Sequence, residues 1–155
     1  MTKKSKIIYL FISIIFFILL NGYLSDLIIL NGFKLPQNPI LSIFYIQNQG
    51  AAFNIFDGQR VFLIAFAITA IIGMIFYTIK HISKFTGMEL FFASILASGI
   101  FNNMIERTIL GYVRDYIKLN FVDFPVFNIS DIFINIGVFG LIILIMSRGH
   151  LRKSI

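Results

Sequence analysis

The sequence predicts an all-α membrane protein with four transmembrane helices and a small extracytoplasmic β element. Hydrophobic residues make up 58% of the 155 residues, and four long runs carry no charged side chain. Each run approaches the roughly 20 apolar residues that cross a bilayer core of ~30 Å. We therefore expect a single integral membrane domain, residues 1–155, with spans at about 7–24, 61–79, 88–106 and 132–147.

The first apolar run follows three lysines, as the apolar core of a secretory signal also does. That core is about 7–15 residues long and ends at a small-residue cleavage site. Here the run is longer and ends in Asn21-Gly22-Tyr23-Leu24. We expect an uncleaved first helix.

The basic residues are distributed unevenly among the connecting segments, and this asymmetry orients the bundle. The N-terminus, the second connector and the C-terminus should be cytoplasmic, because together they hold eight of the thirteen basic residues: Lys3, Lys4, Lys6, Lys80, Lys84, Arg148, Arg152 and Lys153. Segments 25–60 and 107–131 are then external, where the aspartates collect. The net charge of +6 is a topology signal and does not indicate nucleic-acid binding.

The composition argues against a metal or cofactor site. The chain has no cysteine, so disulfides and thiolate ligands are excluded. His81 and His150 lie in basic connectors, away from other candidate ligands. We predict neither a metal nor a cofactor.

Both outer segments contain strand-forming residues. Residues 41–46 are rich in strand formers and precede Asn48-Gln49-Gly50, which has turn chemistry, so we expect a small β-hairpin or sheet with residues 51–56. Its apolar face would pack against the bilayer or against a lipid-bearing ligand. Alternatively, it would pack on the helix bundle as an ordinary hairpin does. Residues 108–118 alternate enough to suggest another short strand.

Polar residues gather at the outer end of the third span. On a helix, Gly99, Asn103 and Glu106 share one face, and Arg107 lies one turn beyond Asn103. Lipid would leave these groups unpaired, so they should face the bundle interior or a water-filled cavity. Asparagines such as Asn102 and Asn103 also hold helices together by hydrogen bonds, and spacing does not separate the two roles.

Two aspartates are placed at the same membrane level. Asp115 follows the third span closely, and Asp131 opens the fourth. Two carboxyl groups within hydrogen-bond reach share a proton, so that one acts as base and the other as acid. By spacing alone, Asp131 is equally well explained as a helix cap and Asp115 as a solvated loop charge.

The chain resembles the lipoprotein signal peptidases, or signal peptidase II family, in three ordered motifs and in the number and orientation of its spans. Residues 48–53 read N-Q-G-A-A-F and match the family's N-x-G-A-A-F. Residues 111–115 match G-x-V-x-D, and residues 127–131 match F-N-x-A-D except at Ser130. The resemblance covers nearly the whole chain.

The resemblance implies an aspartic endopeptidase of the bacterial cytoplasmic membrane. Such enzymes remove the signal peptide from diacylglyceryl-prolipoproteins by cutting before the lipid-modified cysteine. Asp115 and Asp131 would be catalytic, and the outer β element would cover the substrate. The partners implied are the lipid-modified precursor and membrane lipid, with the enzyme expected as a monomer. The supporting or substrate-binding residues would be Asn48, Gly50, Asn103, Glu106, Arg107 and Asn128.

Four positions depart from the family pattern. Asn102 stands in place of Gly, Glu106 in place of Asp, and Ser130 in place of Ala; the Lys expected four residues after Asp26 is Leu30. These departures leave room for a relative that binds lipoprotein precursors without cutting them. A small transporter subunit is a further alternative, but it predicts ionisable residues near the middle of the spans, whereas Asp26, Glu89 and Glu106 lie at their ends.

Overall fold

Long apolar helices account for most of the chain. The computed structural model describes residues 1–30, 39–51 and 55–153. Within these ranges the helices are α1 (Lys3–Leu30), α2 (Arg60–Lys80), α3 (Gly87–Ile109) and α4 (Ile129–Lys153), and the strands are β1 (Leu41–Asn48) and β2 (Val113–Leu119). All four of these helices are long and apolar enough to cross a membrane. The predicted fold class is confirmed.

Helix α3 lies at the centre of the bundle and packs against α1, α2 and α4. Glycines let α3 and α4 approach closely, as small residues do between membrane helices. A Cβ on Gly137 would lie 2.6 Å from the Cβ of Leu96, and one on Gly99 would lie 2.6 Å from the Ser130 carbonyl oxygen. The Gly99 contact fixes the first turn of α4 against α3, next to Asp131.

Helix α2 is the most peripheral of the four, and large apolar side chains such as Phe66, Ile72 and Phe76 are exposed on it. In a bilayer these side chains face lipid, which is as apolar as they are. Their exposure therefore fits a membrane-spanning helix.

All four helices extend beyond the predicted spans, α2 by one residue at each end and α4 from Ile129 to Lys153. Helix α1 continues to Leu30, so Asp26 lies on a helix instead of in a connector. Its 28 residues measure about 42 Å, which exceeds the hydrocarbon core. Helix α3 continues to Ile109, so Arg107 and Thr108 are helical, and the strand predicted from residue 108 begins only at Val113. These extensions of α1 and α3 both include polar residues, Asp26 in α1 and Arg107 and Thr108 in α3, and these side chains bond to neighbouring groups of the protein.

The small β element is one antiparallel pair formed by segments 25–60 and 107–131. Strand β1 pairs with β2, with Ile46 opposite Asp115 and Asn48 opposite Val113. Of the hairpin and the small sheet that the sequence left open, the described residues form a small sheet. Part of the predicted second hairpin strand, residues 52–54, lies outside the described residues. The pairing joins segments that are distant in sequence and brings Asn48 beside Asp115.

Both terminal helices reach the α2–α3 connector at the same end of the bundle. Lys6 donates from Nζ to the Phe85 carbonyl oxygen at 2.5 Å. Arg148 donates to the Lys84 carbonyl oxygen at 3.0 Å and pairs with Glu89 at 2.9 Å. The start of α1 and the region of α4 around Arg148 therefore lie at the end of the bundle opposite Asp115 and the sheet.

Candidate active site

Asp115 is buried in β2, with only 3% of its surface exposed. Asn48 Nδ2 donates to its Oδ2 at 2.8 Å, and Asn128 Nδ2 donates to its Oδ1 at 2.8 Å. Both carboxyl oxygens are thus held by amides from different parts of the chain. A solvated loop charge, the alternative left open by spacing, is excluded.

Asp131 lies in the first turn of α4 and has two kinds of partner. Its Oδ2 accepts the Asn128 main-chain N–H at 3.1 Å, while Asn128 Oδ1 accepts the Asp131 main-chain N–H at 3.0 Å. This reciprocal pair is the arrangement of a capping box, with Asn128 as the N-cap. The other oxygen, Oδ1, accepts Asn103 Nδ2 from α3 at 2.9 Å. Helix capping therefore explains one carboxyl oxygen of Asp131 and leaves the other facing α3.

Asn128 joins the two acids. It is 2% exposed, and its Nδ2 lies 2.8 Å from Asp115 Oδ1 and 3.2 Å from Asn103 Oδ1. Its Oδ1 and main-chain N–H are both bonded to Asp131. One asparagine thus contacts both aspartates, which puts the two predicted acids in one cluster.

Burial changes the acidity of Asp115. Removal from water raises the pKa of this carboxyl to about 6, and the charge of Asp131 acts in the same direction. Hydrogen bonds from Asn48 and Asn128 and the positive charge of Arg107 oppose the rise in pKa. A carboxyl group with this pKa can exchange a proton near neutral pH, which is the property needed for general acid–base chemistry.

Arg107 connects α3 to the turn after β1. Its Nη2 donates to the Gly50 carbonyl oxygen at 2.7 Å, and its Nη1 donates to the Asn103 carbonyl oxygen at 3.3 Å. The Gly50 N–H in turn donates to Asn48 Oδ1 at 2.9 Å. Holding Asn48 by its oxygen directs its Nδ2 towards Asp115. Arg107 and Gly50 therefore position an amide that contacts the acid.

Glu106 lies beside this cluster but has a different partner. Its carboxylate binds Arg114, with Oε1 2.7 Å from Nη2. Asn102, another departure from the family pattern, donates to the Ser98 carbonyl oxygen at 3.1 Å and to the Ile18 carbonyl oxygen at 3.4 Å. Of the two neighbouring asparagines, Asn102 thus links α1 to α3, and Asn103 contacts Asp131.

A second polar layer, which the sequence did not single out, lies behind the acids. Tyr116 is 1% exposed, its hydroxyl lies 2.8 Å from Ser25 Oγ, and it accepts the Ile129 N–H at 3.3 Å. Ser130 donates to Asn21 Oδ1 at 3.2 Å, so this departure has a specific partner in α1. Asn21 and Ser25 stand one helical turn apart in an apolar run, and that spacing was the available signal.

Within residues 1–30, 39–51 and 55–153, no group of three or more histidine, aspartate or glutamate side chains is arranged to hold a metal ion. The chemistry available at the cluster is that of its carboxyl groups, amides and one guanidinium. Two neighbouring carboxyl groups at the end of a bundle of membrane helices are typical catalytic groups of an aspartic hydrolase that acts at the membrane surface.

Comparison with known proteins agrees with this class. Residues 12–147 match the sequence profile of the family described as Signal peptidase (SPase) II. A lipoprotein signal peptidase of Streptococcus thermophilus is 37% identical over 111 residues, which cover 72% of each chain. One of Lactobacillus gasseri is 36% identical over 143 residues, covering 89% of this chain and 91% of the relative. The chain belongs to the signal peptidase II family and is a membrane-bound aspartic peptidase of bacterial inner-membrane type.

Two solved structures share the fold. Both are described as bacterial membrane enzymes determined by the in meso method, one at 2.3 Å and one at 1.9 Å resolution. The first has a TM-score of 0.77 at 27% identity and covers 89% of this chain and 87% of its own. The second has a TM-score of 0.72 at 28% identity and covers 88% of this chain and 91% of its own. The family resemblance and the predicted enzyme class are confirmed.

Proposed function

We propose that this chain cleaves diacylglyceryl-prolipoproteins immediately before the lipid-modified cysteine, with Asp115 and Asp131 as the catalytic pair. The observation that carries the proposal is Asn128, which hydrogen-bonds both acids. Relatives named lipoprotein signal peptidase support the substrate class. The described acids lie at helix ends, in a strand and in connectors, whereas a transporter would need ionisable residues near the middle of the spans.

The mechanism follows from a carboxyl pair that shares one proton. The ionised acid takes a proton from a water molecule, and the water oxygen attacks the carbonyl carbon of the scissile bond. The protonated acid gives its proton to the carbonyl oxygen, which stabilises the tetrahedral intermediate. Collapse of the intermediate breaks the C–N bond, and the cysteine amine leaves with a proton from the pair. Asn48, Asn103 and Asn128 hold the acids for these transfers.

The test is conversion of a defined precursor by the purified chain in detergent or lipid. A precursor peptide with a diacylglyceryl cysteine should yield two fragments, with the modified cysteine at the new N-terminus, as measured by mass spectrometry. The same peptide without the lipid is the control and should be cut far more slowly. Binding of the lipidated peptide with no cleavage would replace this proposal by the binding-protein alternative.

We further propose that both termini are cytoplasmic and that the catalytic pair lies at the outer membrane surface. The excess of basic residues near the termini and the α2–α3 connector supports this orientation. Because the chain lacks cysteine, single cysteines at Ser83 and Asp123 provide a direct test. A membrane-impermeant maleimide should label position 123 in intact cells and position 83 only after lysis; the reverse pattern would refute the orientation.

We also propose that the active form is a monomer; the amide partners of Asp115 and Asp131 are supplied by β1, α3 and the N-cap of α4 of the same chain. The fraction of dimer can be measured by light scattering. A cleavage rate that rose in proportion to that fraction would contradict this proposal.

A further inference from the structure

Arg114 is bound between two acids that come from different helices. Its Nε and Nη2 donate to Glu106 Oε1 at 2.9 and 2.7 Å, and its Nη1 donates to Asp26 Oδ1 at 3.1 Å. Its main-chain N–H also donates to Glu106 Oε2, at 2.8 Å. Strand β2 is thereby tied to the outer ends of α1 and α3 through a single residue.

The burial of these groups makes the arrangement more than a surface ion pair. The Arg114 and Glu106 side chains are 21% and 16% exposed, whereas Asp26 is 53% exposed. Burial alone would lower the pKa of Arg114, but Glu106 and then Asp26 outweigh burial and raise it. A partly buried carboxylate that loses its cation is costly, because it keeps a charge without a partner. The partly buried Glu106 carboxylate therefore needs the Arg114 guanidinium to balance its charge.

Arg114 immediately precedes Asp115 in β2. Neighbouring residues of a strand point to opposite faces, so Arg114 is held on one face while Asp115 faces the amides on the other. Glu106 fixes both the side chain and the main chain of Arg114, which restrains the backbone that carries Asp115. Glu106 is also adjacent to Arg107, which holds the turn at Gly50.

The same place in the fold contains the departure at Leu30. Leu30 lies one helical turn after Asp26, at the end of α1, and is 74% exposed. The family pattern has Lys there, one turn from the same aspartate. A lysine at this position would lie one helical turn from Asp26, the acid that the Arg114 guanidinium now binds.

We infer that Arg114 is a positioning residue for Asp115 and that it supplies, from β2, the cation that the family pattern carries at position 30. This inference rests on the proposed function, because Asp115 must be catalytic for its position to matter. Arg114 acts through the backbone of β2 and through neutralisation of Glu106, and it does not touch the substrate.

The test compares Arg114→Gln with the double variant Leu30→Lys/Arg114→Gln in the lipidated-peptide assay. Arg114→Gln should lower kcat about tenfold or more with KM little changed, since a displaced catalytic group loses rate more than binding. The charged groups around the acids are Arg107 and Glu106, and beyond them Arg114 and Asp26. Loss of a cation among them should move the acidic limb of the pH–rate profile upwards by about half a pH unit. Leu30→Lys should restore both properties in part.

Arg60→Gln is the matched control, because this exposed arginine binds the Thr108 carbonyl oxygen near the same end of α3 and pairs with no acid among the described residues. It should retain activity within about twofold. If Arg114→Gln does not fold, the double variant decides, and an unfolded or inactive double variant overturns the inference. Full activity of Arg114→Gln with an unshifted pH–rate profile would also overturn the inference. Asp115→Asn in the same assay tests the proposed function separately, since activity in that variant would refute the catalytic pair regardless of Arg114.

Discussion

Asp115→Asn and Asp131→Asn should each reduce cleavage of the lipidated precursor by about 1000-fold or more. Each substitution keeps the shape of the side chain but removes a group that must gain or lose a proton, and such groups contribute about 10²- to 10⁴-fold each. Because the proposed mechanism has the two acids share one proton, the double variant should be no worse than either single variant. Single-turnover measurement of product formation checks both expectations.

The outer segments provide a matched control for this experiment. Asp123 is an exposed aspartate in the connector between Asp115 and Asp131. Asp123→Asn makes the same chemical change close by and should leave the rate unaltered. Thermal unfolding in detergent should show that all three variants are folded. Residual activity above a few per cent in a folded Asp115 or Asp131 variant would remove that residue from the catalytic pair.

The helices were predictable because a bilayer imposes a simple rule on sequence. Any segment that crosses hydrocarbon must be apolar over about 20 residues, so charge-free runs identify spans without knowledge of their partners. The ends were less predictable. Residues 25–30 are apolar except for Ser25 and Asp26, and the polar pair does not stop α1 because Ser25 binds Tyr116 and Asp26 binds Arg114.

The sheet was predictable only in part, because a strand pattern does not specify its partner. Strand β1 has suitable residues at 41–46, but a pairing with β2 depends on contacts between segments far apart in the chain. A local hairpin is the shorter connection, and for that reason the sequence left it open beside a sheet. The β element itself was correctly placed in segments 25–60 and 107–131.

The candidate site was likewise predictable only in part. Motif order suggested Asp115 and Asp131, but spacing alone left capping and solvation open for them. The structure distinguishes those alternatives through contacts that cannot be read from the sequence. One example is the hydrogen bond of 2.8 Å from Asn48 Nδ2 to Asp115 Oδ2. Tyr116 was missed because a tyrosine in a short strand is ordinary until its hydroxyl partners are known. The catalytic roles themselves await the substitutions described above.

Asn128 should be the most sensitive non-acidic residue of the site, because it performs two tasks. It caps α4 through its Oδ1, and it donates from Nδ2 to Asp115. Asn128→Ala removes both interactions and should lower the free energy of unfolding by about 1 kcal/mol, the usual cost of a lost N-cap. It should also lower kcat about 100-fold, because Asp115 loses one of the two amides that orient it.

Asn128→Ser separates the two tasks. Serine is a good N-cap, so this variant should recover most of the lost stability. Its side chain is too short to replace the amide donor at Asp115, so kcat should stay low. Asn135→Ala is the control, since that exposed amide of α4 contacts only the Asp131 main-chain oxygen among the described residues. If Asn128→Ser restored cleavage along with stability, Asn128 would be a helix cap alone, and the link between the two aspartates would have to be sought in Asn103 and Arg107.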